Sequence, residues 1–286
     1  MTETTMAEPH ISEEDFMKFR EFFYRKTGIQ FDGSKRYFVD KRLLERMELT
    51  GHESFRSYFI MLRFQASGEE LQSLTNVMTV NETYFFREAY QFDCMVNSLL
   101  PDLCARKTNG DPLRIWVIPS SSGEEPYSIA IYLLERWPGI QSHDVEIIAS
   151  DIDTRILAQA QQGLYSARSV AQLPKNYLQK YFCRERDAFQ ISDDLREAVQ
   201  FTRVNLSEPA DTRPYRNFDL IFCRNLLIYF DDLSRKTAAE TFYDALRPGG
   251  FLCLGHSESM SRISSLYDVR KFPEAIVYQK PLGVRP

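Results

Sequence analysis

The stretch DPLRIWVIPSSSGEEPYSIAIYLL, residues 111–134, decides the fold of this chain. Its apolar run from Ile115 to Ile118 is typical of a buried strand and stops at Pro119, and a turn of small residues (120–123) follows. Apolar residues at helical spacing then begin at Ile129. The order predicts strand, tight turn and helix. Such a turn places free backbone N–H groups at the carboxyl end of a strand, where open α/β sheets bind ligands.

Two acidic residues, Glu124 and Glu125, open the predicted helix. Their charge makes the turn a poor phosphate site, and the Gly-Lys-Ser/Thr sequence of a P-loop is missing from it. A turn that offers carboxylates suits a cationic ligand instead.

Strand-like and helix-like segments alternate after Gly110, which predicts a mainly parallel sheet covered on both faces. The segments are Arg114–Ile118, Glu124–Arg136, Val145–Ser150, Thr154–Gln162, Phe218–Cys223, Arg235–Leu246, Phe251–Gly255 and Ala275–Gln279. Residues 165–204 interrupt the alternation. Within them, Phe189–Ile191 and Ala198–Arg203 are predicted to pair as short strands of an inserted β-subdomain.

Residues 11–105 are predicted to form helices. Ser12, Ser34 and Ser54 are the expected N-caps of the first three, and the fifth is expected from Ala89 to Cys104. We therefore predict a helical domain over 1–88, a linker helix over 89–110 and an α/β domain over 111–286.

Composition excludes several classes of protein. No apolar run reaches the roughly 18 residues that span a bilayer, and the polar start of the chain does not resemble a signal peptide. The five cysteines form no CxxC pair and the four histidines are scattered, so we expect neither a metal site nor a disulfide framework. These features predict a reduced, cytoplasmic protein without membrane insertion.

The net charge of −5 is unevenly distributed. Residues 17–63 hold eleven Lys/Arg against six acidic residues, which suggests an acidic partner for this segment. Lys35, Arg42 and Arg46 are spaced to share one helix face. The alternative is an ordinary solvated face. Nucleic acid is not expected, because no nucleic-acid-binding motif accompanies the charge.

Polar residues follow two of the predicted strands. Asp151 ends the second strand, where an acid can hold ribose hydroxyls, whereas Asp153 is better explained as an N-cap of the next helix. Arg224 and Asn225 follow the strand at 218–223, and Tyr229 lies four residues beyond Asn225. Taken alone, Tyr229 and Phe230 are better explained as core aromatics.

Two further segments combine polar residues with apolar ones. Asn81, Thr83 and Arg87 lie among aromatic residues and form a candidate functional cluster. The alternative is that this segment is a linker that packs the domains together, with Asn81 or Thr83 as a helix cap. His256 follows the turn and strand at 247–255, and we expect it to be structural.

Five motifs occur together in one order: Asn-x-Thr-x-Phe-Phe-Arg-Glu (81–88), Ser-Gly-Glu-Glu-Pro-Tyr-Ser (122–128), Ala-Ser-Asp-Ile-Asp (149–153), Cys-Arg-Asn-x-x-Ile-Tyr-Phe (223–230) and Gly-His-Ser-Glu (255–258). With them the chain resembles the bacterial chemotaxis receptor glutamate O-methyltransferases, the CheR family, over nearly its whole length. The resemblance implies an all-α N-terminal domain. It also implies a Rossmann-like domain that binds S-adenosylmethionine, with a mainly parallel sheet, an antiparallel last strand and an inserted antiparallel β-subdomain.

The resemblance also implies roles for individual residues. Glu125 would hold the methionyl ammonium of the cofactor, and Asp151 its ribose hydroxyls. Asn205 and Leu206 would flank the adenine. The remaining cofactor contacts would come from Asn81, Thr83, Arg87, Cys223, Arg224 and Asn225. Arg87 and Tyr229 would act on the substrate carboxylate as catalytic residues, and no metal is implied.

The implied reaction transfers a methyl group from S-adenosylmethionine to glutamates on the cytoplasmic methylation helices of chemoreceptors, and leaves S-adenosylhomocysteine. Lys35, Arg42 and Arg46 would recognise those acidic helices, and the enzyme is expected to act as a monomer. Two alternatives stay open. The chain could methylate another substrate, or it could be a regulator that binds S-adenosylmethionine without turnover.

Overall fold

A computed structural model describes residues 11–108 and 110–283 and divides the chain into two compact units, 1–80 and 81–286. The division lies eight residues before the boundary that we predicted at 88/89. The reason is aromatic packing, since Phe85 and Phe86 are buried in the core of the second unit. The predicted linker helix likewise packs into that core, through Phe92 and Leu99.

Within residues 11–80, the first unit contains four α-helices: α1 (Glu13–Thr27), α2 (Arg36–Leu49), α3 (Phe55–Phe64) and α4 (Glu69–Met78). Ser12 and Ser54 cap α1 and α3 as predicted, because their side chains accept hydrogen bonds from the N–H groups of Asp15 and Ser57. Buried aromatic and aliphatic residues from all four helices form one core: Phe16, Phe19, Phe23, Val39, Leu43, Phe55, Tyr58, Leu62, Leu74 and Met78.

The start of α2 differs from the prediction that Ser34 caps it. Ser34 lies inside a 3₁₀ turn, Gly33–Lys35, whose cap is Asp32. The carboxylate of Asp32 accepts from the Ser34 N–H at 2.8 Å, and α2 begins at Arg36 without a side-chain cap. The 3₁₀ turn satisfies the N-terminal donors that Ser34 was expected to satisfy.

The second unit is built on a seven-stranded sheet with the order β6-β2-β1-β7-β8-β10-β9. Five strands run parallel, and β10 is antiparallel to both of its neighbours, which confirms the predicted mainly parallel sheet with an antiparallel last strand. The strands are β1 (Leu113–Val117), β2 (Val145–Asp151), β6 (Val199–Arg203), β7 (Phe218–Cys223), β8 (Leu246–Leu254), β9 (Asp268–Lys271) and β10 (Ile276–Gln279).

The described part of this unit also contains eight α-helices: α5 (Ala89–Cys94), α6 (Leu100–Cys104), α7 (Glu124–Arg136), α8 (Thr154–Gln162), α9 (Lys175–Tyr181), α10 (Asp193–Glu197), α11 (Pro209–Thr212) and α12 (Asp232–Ala245). The fifth helix, expected to run from Ala89 to Cys104, is interrupted by a π-helical segment, Met95–Leu99, which joins α5 to α6 just before Pro101. Helices α7 and α8 pack against β2 and β6, and α12 packs against β8.

The inserted β-subdomain is a three-stranded antiparallel sheet, ordered β3-β5-β4: β3 (Leu164–Ser166), β4 (Phe182–Glu185) and β5 (Ala188–Ile191). The prediction that residues 198–203 pair with 189–191 is wrong. That segment is β6, and it pairs in parallel with β2, with Val199 opposite Ile147. Both pairings suit a short apolar strand, so its periodicity could not distinguish them.

Because β6, β2, β1, β7 and β8 are parallel, their carboxyl ends meet at one edge of the sheet, which we call the carboxyl edge. Among residues 11–108 and 110–283, no helix is long and apolar enough to cross a membrane.

Candidate cofactor and substrate site

The turn after β1 approaches the carboxyl ends of its neighbouring strands. Ile118 N–H donates to Phe222 O at 2.9 Å, and Ser120 N–H donates to Ser150 O at 2.8 Å. Gly123 has a φ of 94°, and a Cβ there would lie within 3.1 Å of Ala160 and Tyr165. The turn therefore requires glycine for both its backbone conformation and its space.

Asp151, at the end of β2, lies buried beside this turn. One carboxylate oxygen accepts the Ser121 N–H at 2.9 Å and the other accepts the Asp153 N–H at 3.0 Å. Burial raises the pKa of Asp151 to about 6, and the two backbone hydrogen bonds oppose the shift. A buried carboxylate in this position can still accept hydrogen bonds from ligand hydroxyls, because each oxygen has more than one lone pair.

Asp153 has the structural role that the sequence favoured. Its Oδ1 accepts the N–H groups of Arg155 and Ile156, so it caps α8. Its Oδ2 accepts the Asn81 amide at 2.9 Å. Asn81, predicted as a cofactor contact, is thereby held next to the β2 end, and Thr83 follows it on a partly buried segment.

Arg224 connects three elements of the candidate site. Its guanidinium donates to Glu125 Oε2 at 2.7 Å and to the carbonyl oxygen of Arg87 at 2.7 Å, and it lies 3.4 Å from Glu88 Oε2. The Arg224 side chain is 1% exposed, so this arrangement is shielded from water. The first turn of α7 and the segment at 87–88 are thus fixed relative to the end of β7.

The two carboxyl groups around Arg224 respond differently to it. Burial raises the pKa of Glu125, and Arg224 only partly opposes this. Burial also acts to raise the pKa of Glu88, but Arg224 and a hydrogen bond with His256 outweigh it, so the net shift is downward. Glu125 is therefore the carboxylate that a further cation would stabilise most.

His256 has a supporting contact, as expected for a structural residue. Its Nδ1 lies 2.9 Å from Glu88 Oε1, and its N–H approaches Glu88 Oε2 at 3.3 Å. The side chain is exposed at the protein surface.

The loop after β7 is held by Glu258, the last residue of the Gly-His-Ser-Glu motif, for which the sequence predicts no role. Glu258 accepts the N–H groups of Asn225 at 2.8 Å, Leu227 at 2.7 Å and Gly255 at 2.9 Å. Asn225 has a φ of 59°, a left-handed conformation that asparagine tolerates. The sequence feature that could have identified Glu258 is a Glu three residues after the Gly that ends a predicted strand.

Tyr229 belongs to a short 3₁₀ turn, Leu227–Tyr229, and is 38% exposed, whereas the next residue, Phe230, is buried. The alternative of a core aromatic therefore applies to Phe230. Burial raises the pKa of Tyr229, and the positive charge of Arg87 acts in the opposite direction. Arg87 also donates to the Glu82 carbonyl oxygen at 3.0 Å and lies over the Tyr84 ring.

Three more predicted cofactor contacts lie at the same edge. Asn205 follows β6 and is buried; its N–H donates to Asp211 and its side-chain oxygen accepts the Ser207 N–H. Leu206 beside it is also buried, and Cys223 is fully buried at the end of β7. The structure thus places all ten predicted cofactor residues in the second unit.

The three residues predicted to recognise an acidic partner differ in how far they are exposed and bonded within the protein. Lys35 is exposed. Arg42 donates to the carbonyl oxygens of Val77 and Phe38 and covers the Phe38 ring, with its guanidinium carbon 3.4 Å from the ring centroid. Arg46 donates to both carboxylate oxygens of Glu70, at 3.0 and 2.6 Å, and is 17% exposed.

The site residues fit S-adenosylmethionine on one ground besides their identity. The hydroxyl oxygens of Ser120 and Ser121 are buried and have no hydrogen-bond partner in the described part of the chain, in the turn where a ligand is expected. No group of three metal-ligating side chains occurs within the residues that the structure describes.

Two models of one protein family match the chain. The all-alpha domain of CheR methyltransferases matches residues 14–79, and their SAM binding domain matches residues 81–276. Chemotaxis protein methyltransferase 2 of Vibrio cholerae is 57% identical over 96% of this chain and 96% of its own. Chemotaxis protein methyltransferase 2 of Pseudomonas aeruginosa is 39% identical over 90% of each chain. The Chemotaxis protein methyltransferase of Salmonella typhimurium is 34% identical over 91% of this chain and 88% of its own.

Proposed function

Because the chain belongs to the CheR methyltransferase family, we propose that it transfers the methyl group of S-adenosylmethionine to glutamate side chains of chemoreceptors. The products are a glutamate methyl ester and S-adenosylhomocysteine. The observation that supports this most is the convergence at the carboxyl edge of Asp151, the buried Glu125–Arg224 pair and an exposed tyrosine, Tyr229.

Different residues bind different parts of the cofactor. Asp151 accepts the ribose hydroxyls, and Glu125, whose pKa burial has raised, accepts the methionyl ammonium. Asn205 and Leu206 flank the adenine, and Asn81 and Thr83 close the site from the preceding segment. When bound, the cofactor supplies a sulfonium methyl group as the electrophile.

The substrate carboxylate needs no general base. A glutamate has an ordinary pKa near 4.3 and is ionised at neutral pH, so the protein has to position it and exclude water. Arg87 offers a fixed fork of donors to a planar carboxylate, and Tyr229 offers one hydroxyl. Neither group removes a proton. The carboxylate oxygen forms the new bond to carbon while the carbon–sulfur bond breaks.

The acidic partner would meet the exposed cations of the first unit. Lys35 directly precedes α2, Lys41 lies within it, and both are exposed, whereas Arg46 pairs with Glu70 inside the unit. We therefore assign the contact with the acidic methylation helices mainly to Lys35 and Lys41. Arg42 and Arg46 maintain the shape of the helical unit that presents those lysines.

The test is transfer of radiolabelled methyl from S-adenosylmethionine to membranes that contain chemoreceptors, with bulk RNA as the alternative substrate. We expect label in the receptor, released as methanol by mild base, because methyl esters hydrolyse under those conditions. Base-stable label, or label in RNA only, would show that the proposal is wrong. Cofactor binding without transfer to any receptor would instead favour a regulator.

A further inference from the structure

Another carboxylate at the carboxyl edge, Glu258, has no part in the proposed chemistry, yet it accepts three backbone hydrogen bonds there. Its Oε2 accepts the N–H groups of Asn225 and Gly255, and its Oε1 accepts that of Leu227. Asn225 follows β7 and Gly255 follows β8, two strands that pair in parallel. The Glu258 side chain therefore connects the ends of β7 and β8 with the short turn that carries Tyr229.

The Glu258 carboxylate is closely packed against Gly255 and Asn225. A Cβ on Gly255 would lie 2.9 Å from Glu258 Oε2 and 3.1 Å from the Asn225 amide nitrogen. A second contact supports the same turn, because Arg235 Nε donates to the Leu227 carbonyl oxygen at 2.9 Å. Asn225 keeps a left-handed backbone conformation, which persists only where surrounding contacts hold it.

We propose that Glu258 is a positioning residue for methyl transfer, which through its two carboxylate oxygens sets two different groups. Oε2 fixes Asn225, and hence the cofactor side of the loop. Oε1 fixes Leu227, and hence the turn that presents Tyr229 to the substrate carboxylate. The inference rests on the proposed function for the role of Tyr229, and on geometry alone for the division between the two oxygens.

Because the two carboxylate oxygens have different partners, Glu258→Gln should disturb one partner and spare the other. A glutamine has one acceptor oxygen and one NH₂ donor, so it can keep the two bonds of Oε2 or the one bond of Oε1. We expect it to keep the pair with Asn225 and Gly255, and to lose the bond with Leu227. Turnover of methyl transfer should then fall at least tenfold, while affinity for S-adenosylhomocysteine stays within threefold of the parent.

A double-mutant cycle separates positioning from general support of the fold. If Glu258 acts through Tyr229, Glu258→Gln should have less than a threefold further effect in a Tyr229→Phe background. The matched control is Glu135→Gln, which removes a carboxylate that bonds Lys180 and Tyr181 in the same unit, away from the site. This control should leave turnover unchanged.

Amide hydrogen exchange at Leu227 gives a readout that does not depend on activity. Exchange at Leu227 should be at least tenfold faster in Glu258→Gln, with Asn225 little changed. If that variant does not fold, Glu258→Asp, whose arm is one carbon shorter, should still release one of the two ends selectively.

The proposal is overturned if the losses are multiplicative in the double mutant, if Leu227 keeps parental exchange, or if cofactor affinity falls as much as turnover. A parent that methylates no receptor would contradict the proposed function only, since the exchange measurement would still test the role of Glu258.

Discussion

The pKa of Asp151 gives the sharpest test of the cofactor site. Burial raises this pKa to about 6, so roughly nine in ten Asp151 side chains are protonated at pH 5 and roughly nine in ten are ionised at pH 7. Ribose hydroxyls donate to the ionised form. Affinity for S-adenosylhomocysteine should therefore rise about tenfold between pH 5 and pH 7, equivalent to about 1.4 kcal/mol.

Titration calorimetry of the parent and of Asp151→Asn across this pH range measures the effect. The variant should bind about 1–3 kcal/mol more weakly at pH 7, the cost of an unpaired polar group, and the part of the pH dependence that Asp151 contributes should disappear. Glu125 is present in both proteins, so comparison of the two profiles isolates Asp151. Parallel profiles, or equal affinities at pH 7, would refute the assignment of Asp151 to the cofactor.

The same pKa shift also affects folding. The pKa of Asp151 is higher in the folded protein than the model-peptide value, so the fold disfavours the charged form. Its contribution to stability is greatest below about pH 4 and is lost as the pH rises through about 6. By pH 7 the ionised group costs about 3 kcal/mol. Urea unfolding of Asp151→Asn should show a smaller loss of stability between pH 4 and pH 7 than the parent; an equal loss would contradict the shift.

Three further outcomes follow from the described contacts. Tyr229→Phe should lower single-turnover methyl transfer by about 2 kcal/mol, the low end for one positioned donor, with little change in cofactor affinity; parental turnover and melting temperature would mean that the hydroxyl is idle. Reversal of Lys35 and Lys41 to Glu should impair receptor methylation and flatten its salt dependence while cofactor affinity is unchanged, and equal activity at low salt would contradict this. Arg46→Ala should lower the free energy of unfolding by about 3 kcal/mol, because Glu70 stays buried without its cation, and an unchanged urea midpoint would disprove it.

Controls for these variants are available in the chain. Lys175→Glu reverses an exposed cation of the second unit and should leave receptor methylation at the parental level. Arg25→Ala removes an ion pair whose arginine is 71% exposed, so its effect on stability should be small. Arg87→Ala should reduce both turnover and cofactor affinity, which distinguishes it from Tyr229→Phe.

The fold was predictable where one local pattern had one physical outcome. The strand–turn–helix at 113–136 and the Ser12 and Ser54 caps follow from short-range hydrogen bonding and periodicity, and the structure confirms them. The partner of β6 was not predictable in this way. Its five residues can pair with either sheet, and only the tertiary core decides for β2.

The candidate site was predictable to a similar extent. Strand ends identify Asp151 and Arg224, because the carboxyl ends of parallel strands must meet. The contacts of Arg46 with Glu70, and of Glu258 with three N–H groups, join residues that are distant in the sequence or lie in a loop. Charge and spacing alone made Arg46 resemble a surface residue, since they do not show which cation has a buried partner.

The left-handed backbone at Ser121 and Asn225 has a consequence for protein engineering. Glycine adopts this conformation without steric cost, so a screen for thermal tolerance would select glycine at these two positions. Each such replacement would also delete a side chain from the region where we place the cofactor and the substrate. Directed evolution of this enzyme towards heat resistance should therefore exclude these positions, and libraries that include them should enrich stable, inactive clones.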